Sequence, residues 1–348
     1  MKMIKMQSPA SQAPLVVLAD RRWPLTSGIG VVQTELEARR PDGVEIEDIK
    51  VKGSIGSPFS PLRISLALSK YRRLRDNIFI SWGFVPPLWS TRKSLIIVHD
   101  LTHLHYYGWL KQLYYNIVFK RLYKSCSQIV CVSEFTRSEF LEWSGIDPRR
   151  VHVMYNGCSE IFSPDGDRLN LGFKFLLYPG NHRSYKNLDR LIRAYKLSRV
   201  SQDDIHLVLT GREQPALRAL IDELGLSEFV HFAGVLAHED IPKLYRAAEA
   251  IVFVSLYEGF GLPIVEAMSS GVPVITSNVT SMPEVAGDAA LLVDPSSESE
   301  ISEAIRKVIS DETLRDSLVR AGLVRVKTFS WDMAAAQFWS LASQLNLQ

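Results

Sequence analysis

The chain has 348 residues, 46% of them apolar and 22% charged, a balance that fits a globular protein of about two domains. No apolar run reaches the ~18 residues of a membrane-spanning helix, and the run at 15–19 is too short for a signal-peptide core. Cys126, Cys131 and Cys158 are too few and too irregularly spaced for a disulfide framework or a zinc site, which points to a reducing, cytoplasmic setting.

The net charge of +2 conceals an asymmetry. Residues 1–160 carry 22 Lys/Arg and 14 Asp/Glu, whereas residues 161–348 carry 18 and 24. A basic first half suits a phosphate-bearing or anionic-membrane partner, and plain surface scatter is the alternative.

In chain order, the apolar, β-branched segments 15–19, 78–81, 95–98, 129–132 and 151–154 read as strands of the first half. Segments 175–178, 206–210, 230–232, 250–255, 274–276 and 290–293 do the same for the second. Helical periodicity predicts helices over 31–39, 109–123, 134–143, 188–197, 215–224, 263–270 and 301–309, with a closing helix over 330–345. Ser297 and Glu300 have the spacing of a capping box. Continuous apolar strands alternating with helices predict an α/β fold with parallel sheets covered on both faces. The turn-rich segment 156–171 is the expected linker, giving an acceptor-side domain over 1–165, a donor-side domain over 166–328 and the closing helix over 329–348.

The most informative segment is Ser255-Leu-Tyr-Glu-Gly-Phe-Gly-Leu-Pro-Ile-Val-Glu-Ala-Met. A strand ends at Ser255, the turn Glu258-Gly259-Phe260-Gly261-Leu262 follows, and Pro263 suits the first position of a helix. Gly259 and Gly261 allow positive φ and close backbone approach, and the helix turns its free N–H groups toward the same spot. A diphosphate is the natural guest. Glu258 in the turn and Glu266 in the expected first helical turn can both face one cleft and accept hydrogen bonds from sugar and ribose hydroxyls. The plainer alternative makes Glu266 a helix-start charge and Glu258 a solvated loop residue.

This segment resembles the signature of retaining glycosyltransferases of family four, and further motifs agree with it in order along nearly the whole chain. The resemblance implies the GT-B architecture: two facing, doubly wound Rossmann-like domains with a nucleotide-sugar between them and a C-terminal helix closing back on the first. It places His99, in Val98-His-Asp100, beside the transferred sugar. Gly28 and Gly30, in Thr26-Ser-Gly-Ile-Gly, follow the first strand and suit a loop closing over phosphate or acceptor. Lys186 and Asn187 match the cation motif for the donor diphosphate. Tyr185 stands where an arginine is usual, so Arg183 is the candidate second cation. Val235 lies where the family's backbone meets the nucleotide base, and Glu284, in Pro283-Glu-Val285, is given a structural role only.

Glu258, His99 and Lys186 are therefore the catalytic candidates; no cofactor and no metal are expected, and Asp165-Gly-Asp167 reads as a solvated turn. The resemblance is nearest to bacterial mannosyltransferases of polysaccharide or O-antigen assembly, which implies GDP-mannose as donor and a saccharide, lipid-linked, as acceptor. The segment from His103 through the helix at 109, and the stretch 62–75, suit a peripheral contact with an anionic inner membrane face; two ordinary sheet-covering helices are the alternative. No nucleic-acid-reading module is present. A GT-B nucleotide-sugar epimerase and a non-catalytic nucleotide-sugar-binding protein remain open as alternatives.

Overall fold

A computed structural model describes residues 15–25, 27–71, 77–89 and 93–347. Thr26 and positions 72–75 of the basic stretch lie outside them. Strands β1 (Leu15–Asp20), β2 (Val44–Asp48), β3 (Ile78–Ser81), β4 (Ser94–Val98), β5 (Gln128–Cys131) and β6 (Val151–Val153) make one sheet, ordered β2-β1-β3-β4-β5-β6. Strands β7 (Lys174–Tyr178), β8 (Ile205–Leu209), β9 (Val230–Phe232), β10 (Ala250–Phe253), β11 (Val274–Ser277) and β12 (Leu291–Val293) make a second, ordered β12-β11-β10-β7-β8-β9. Every pairing is parallel. The central strands β4, β8 and β10 are buried along their whole length, as their unbroken apolar runs require.

The helices of the first half are α1 (Gly28–Ala38), α2 (Ser60–Ser69), α3 (Thr102–His105), α4 (Trp109–Tyr114), α5 (Lys120–Lys124) and α6 (Glu134–Ser144). Those of the second are α7 (Leu188–Ser198), α8 (Pro215–Glu223), α9 (Ile241–Ala247), α10 (Leu262–Ser269), α11 (Met282–Ala286), α12 (Glu298–Ser310), α13 (Glu312–Arg325) and α14 (Trp331–Leu347). Helix α14 returns to the first sheet. Trp339 donates its ring N–H to the Leu36 carbonyl at 2.8 Å, and Trp82 packs against Phe338 and Trp339.

Three local expectations change. Strand β2 was not expected, because Val-Glu-Ile-Glu-Asp alternates like a half-buried edge strand and lacks a continuous apolar run. The segment expected as one helix over 109–123 contains a π-helical turn, Tyr115–Phe119, which re-aims its faces. Tyr115, Phe119 and Tyr123 point inward, while Trp109, Leu110, Leu113 and Ile117, four of the residues that carried the helical period, are 48–69% exposed. The capping box is half formed: Ser297 Oγ accepts from Glu300 N, but the Glu300 carboxylate turns to Asp294 N instead.

Candidate active site

The two sheets face each other through their carboxyl-terminal loops, where open α/β sheets bind ligands. On the second domain, β10 leads into the turn 256–261, which is pinned from several directions. Leu256 N donates to the Tyr185 carbonyl, Glu258 N to Thr280 Oγ1, and Ser281 Oγ to the carbonyls of Glu258 and Phe260. Gly261, at φ +103°, caps α10 in a conformation that favours glycine. The helix therefore begins at Leu262 with Pro263 second, one residue earlier than expected.

Lys186 Nζ lies 2.6 Å from Glu258 Oε1, with only 10% and 12% of the two side chains exposed. The ammonium also sits over the rings of Tyr185 and Phe253. Glu266 corrects its expected place. It lies in the second turn of α10, where Tyr245 donates to its Oε2 at 2.6 Å. Burial pushes its carboxyl up to about 7, against the opposing Tyr245 hydrogen bond.

The glycines divide their work. Gly259 serves domain contact rather than ligand approach, because a Cβ there would overlap the His99 carbonyl oxygen of the first domain. Its own carbonyl accepts from Ser133 Oγ (2.6 Å) and Thr136 Oγ1 (3.0 Å), both fully buried. Gly30 makes room for the Pro24–Leu25 backbone, while Gly28, next to the Ser27 N-cap of α1, looks across the cleft at Leu262, 3.9 Å from where its Cβ would stand. The amino ends of α1 and α10 thus confront each other.

His99 reaches the cleft from β4. Its Nε2 donates to the Trp82 carbonyl at 2.7 Å, since a carbonyl can only accept, which leaves Nδ1 as the lone-pair acceptor of the neutral ring. Burial lowers its pKa, so neutral it stays near pH 7. Asn187 needs a correction. Its amide is committed to the carbonyls of Val254 and Pro295 and its oxygen to Arg190, so it braces the Lys186 turn rather than meeting a ligand. Phe260 likewise packs on Phe329 and Tyr155. Arg183 lines a cavity of about 430 Å³ with His182, Ser184, Arg190 and Gln214, and its guanidinium meets the Tyr185 hydroxyl. Val235 is 77% exposed just beyond β9. Among the described residues, no three His, Cys, Asp or Glu side chains converge on one cation position.

Sequence reasoning missed the supporting residues. Tyr245, Tyr257, Ser281, Ser133 and Thr136 hold the site through partners 21 to 156 residues away, and only Ser133, as the N-cap of α6, left a local signal. Tyr257 accepts from Leu101 N (3.0 Å) and donates to Glu139 Oε2 (2.5 Å), crossing from one domain to the other.

Known proteins resemble this arrangement. Residues 31–160 match the family described as Glycosyltransferase Family 4, and residues 162–324 match Glycosyl transferases group 1. The O-antigen chain mannosyltransferase B of Escherichia coli is 35% identical over 80% of this chain and 76% of its own. The MMP alpha-(1->4)-mannosyltransferase of Mycolicibacterium hassiacum is 31% identical over 63% of this chain and 54% of its own. In fold, the sucrose-phosphate synthase of Thermosynechococcus elongatus superposes with a TM-score of 0.76 at 18% identity, covering 96% of this chain and 99% of that one. WaaG, a glycosyltransferase involved in lipopolysaccharide biosynthesis, gives 0.75 at 17%, covering 94% and 99%.

Proposed function

Because this chain belongs to glycosyltransferase family 4, we propose that it transfers mannose from GDP-mannose, with retention of anomeric configuration, to a lipid-linked saccharide in cell-surface polysaccharide synthesis. That it is a glycosyltransferase follows from the family; the mannosyltransferases among its relatives, O-antigen enzymes included, support mannose and O-antigen assembly. The observation that carries the reading is the pairing of Lys186 with Glu258 in the turn before α10, where the next residue, Gly259, lies directly against the His99 carbonyl.

In this reading the donor diphosphate lies at the amino end of α10 and takes Lys186 as its counter-ion, with Arg183 as second cation in place of the arginine usual at Tyr185. Glu258, released from Lys186, accepts hydrogen bonds from the sugar hydroxyls, and Glu266 accepts from the ribose. The neutral His99 offers Nδ1 to the transferred sugar. The acceptor hydroxyl attacks the anomeric carbon from the side of the leaving diphosphate. The anomeric carbon–oxygen bond breaks as the new one forms, and the hydroxyl proton passes to a phosphate oxygen. No metal ion is required, because fixed dipoles and cations stabilise the departing charge.

The exposed face of Trp109, Leu110, Leu113 and Ile117, flanked by Lys111, Arg121 and Lys124, is the proposed contact with an anionic membrane leaflet that carries the acceptor. No helix among the described residues is long and apolar enough to cross a membrane.

Thermal unfolding in the presence of a series of nucleotide-sugars tests the donor. GDP-mannose is expected to stabilise the chain most, by about 2.7 kcal/mol at a hundredfold excess over its Kd. Stabilisation by a different nucleotide-sugar alone would overturn the donor assignment, and a product with inverted anomeric configuration by NMR would overturn the mechanism.

A further inference from the structure

Resting on that reading, we propose that Glu284 is a positioning residue: its carboxylate caps the amino end of α6 in the opposite domain and thereby seats the Glu258–Gly259 turn against His99. The carboxylate accepts from Glu134 N at 2.7 Å through Oε1 and from Phe135 N at 3.0 Å through Oε2. The Tyr155 hydroxyl meets the same carboxylate, and partial burial together with that neighbouring charge pushes it up to about 12. All three donors belong to the chain before the linker segment, and Glu284 lies 129 or more residues later.

The charge fits the place. The first N–H groups of a helix have no partner within it, and the positive end of its dipole favours an anion. In α6 the third of these groups, Thr136 N, is satisfied locally by Ser133 Oγ, and the first two are satisfied only from across the cleft. The same helix end holds the catalytic turn, because Ser133 Oγ and Thr136 Oγ1 both donate to the Gly259 carbonyl. One helix terminus therefore grips the second domain twice, once at α11 through Glu284 and once at the residue following Glu258.

Glu284 is itself held from behind. Arg325 of α13 donates to the Glu284 carbonyl at 2.5 Å and to the Val285 carbonyl at 3.0 Å, so α11 presents the carboxylate on a braced backbone. A clasp of this kind acts on the assembled cleft and not on the donor pocket, whose Lys186, Glu258 and Glu266 are placed by other contacts. Domain closure that completes a catalytic set is a familiar source of rate.

The test compares the full-length chain with Glu284→Ala and Glu284→Gln. Steady-state rates are measured with GDP-mannose and acceptor, GDP affinity by calorimetry, and the radius of gyration with bound GDP by small-angle X-ray scattering. Loss of charge-assisted hydrogen bonds predicts a kcat lower by about 10- to 100-fold for Glu284→Ala. GDP affinity should hold and the GDP-bound molecule should be more expanded than the parent. Glu284→Gln, which keeps one acceptor oxygen without the charge, should fall between the two. Parent-like kcat and compaction in folded Glu284→Ala would overturn the proposal, as would a loss of GDP affinity matching the loss in kcat. Should Glu284→Ala not fold, Tyr155→Phe and Glu284→Gln carry the same comparison. A parent chain that transfers nothing from any nucleotide-sugar would refute the functional reading, while the scattering comparison would still decide the clasp.

Discussion

The two walls of the cleft are built on the same kind of sheet and prepared in opposite ways. The wall from the second domain holds its charges in fixed pairs: Lys186 on Glu258, and Glu266 under the Tyr245 hydroxyl. The wall from the first domain is mainly aromatic, and its carboxylate nearest the catalytic turn, Asp100, is held locally by Thr102 N at 2.9 Å. His99 is tied to a carbonyl, and Tyr106 and Tyr107, both partly exposed, stand at its edge, with the Tyr106 ring 5.3 Å from that of Tyr185. A donor of fixed charge calls for preorganised counter-charges, whose reorganisation would otherwise cost rate. A saccharide acceptor is bound by shape, aromatic faces and partners for its hydroxyls, which an aromatic wall with a single locally held carboxylate beside His99 provides.

The seam between the walls is where the largest effect is expected. Gly259→Ala would drive a methyl group into the His99 carbonyl, and the backbone must shift to accept it. Transfer should fall by at least about 100-fold, the order of loss that a misplacement near 1 Å produces, while donor binding on the second domain survives. Rates and donor calorimetry on one preparation check this; near-parental transfer would break the picture of a tightly apposed seam.

A smaller effect sharpens the contrast in charge. The Glu266 carboxyl titrates at about 7 in the folded chain, above its ordinary 4.5, because burial disfavours the anion. The folded state then binds more protons than the unfolded one between these values, so stability from this group is full below about 4.5 and lost as pH rises through about 7. Glu266→Gln should flatten that part of a stability-against-pH curve. Donor binding near pH 7, which favours the ionised carboxylate through ribose hydroxyls, should release protons, detectable as a buffer-dependent binding enthalpy. An unchanged curve in Glu266→Gln would contradict the assignment.

The legibility of the sequence follows the same division. Strands buried on both faces, such as β4 and β10, were readable because burial demands continuous apolar runs; the edge strand β2 was not, because half-burial gives alternation. The charged residues of the donor wall were readable as two short motifs, the turn ending at Lys186 and the turn and helix that carry Glu258 and Glu266. Their supports were not, since Tyr245, Ser133 and Glu284 acquire their roles only from neighbours brought together by folding. The Asn187 side chain shows the reverse error: it fits the donor motif, yet its hydrogen bonds are already taken by Val254 and Pro295.

The smallest effect concerns the outer surface of the first wall. Replacing Trp109 and Leu113 with Ser should leave folding stability nearly unchanged, because both are largely exposed. Reversing Lys111 and Lys124 should weaken binding to vesicles containing anionic lipid by about 1 kcal/mol per charge removed. Thermal unfolding measures the first and vesicle co-sedimentation at low salt the second; no binding by the parent chain would overturn the proposed membrane contact.

In the proposed donor site, the amino end of α10 and Lys186 neutralise a diphosphate while Glu258 and Glu266 hold the hydroxyls on either side of it. A crystal structure with GDP-mannose bound tests it most directly. The diphosphate is expected on the N–H groups after Gly261, with Lys186 turned to it and Glu258 released to the sugar. A donor lodged elsewhere, with the Lys186–Glu258 pair intact, would contradict it.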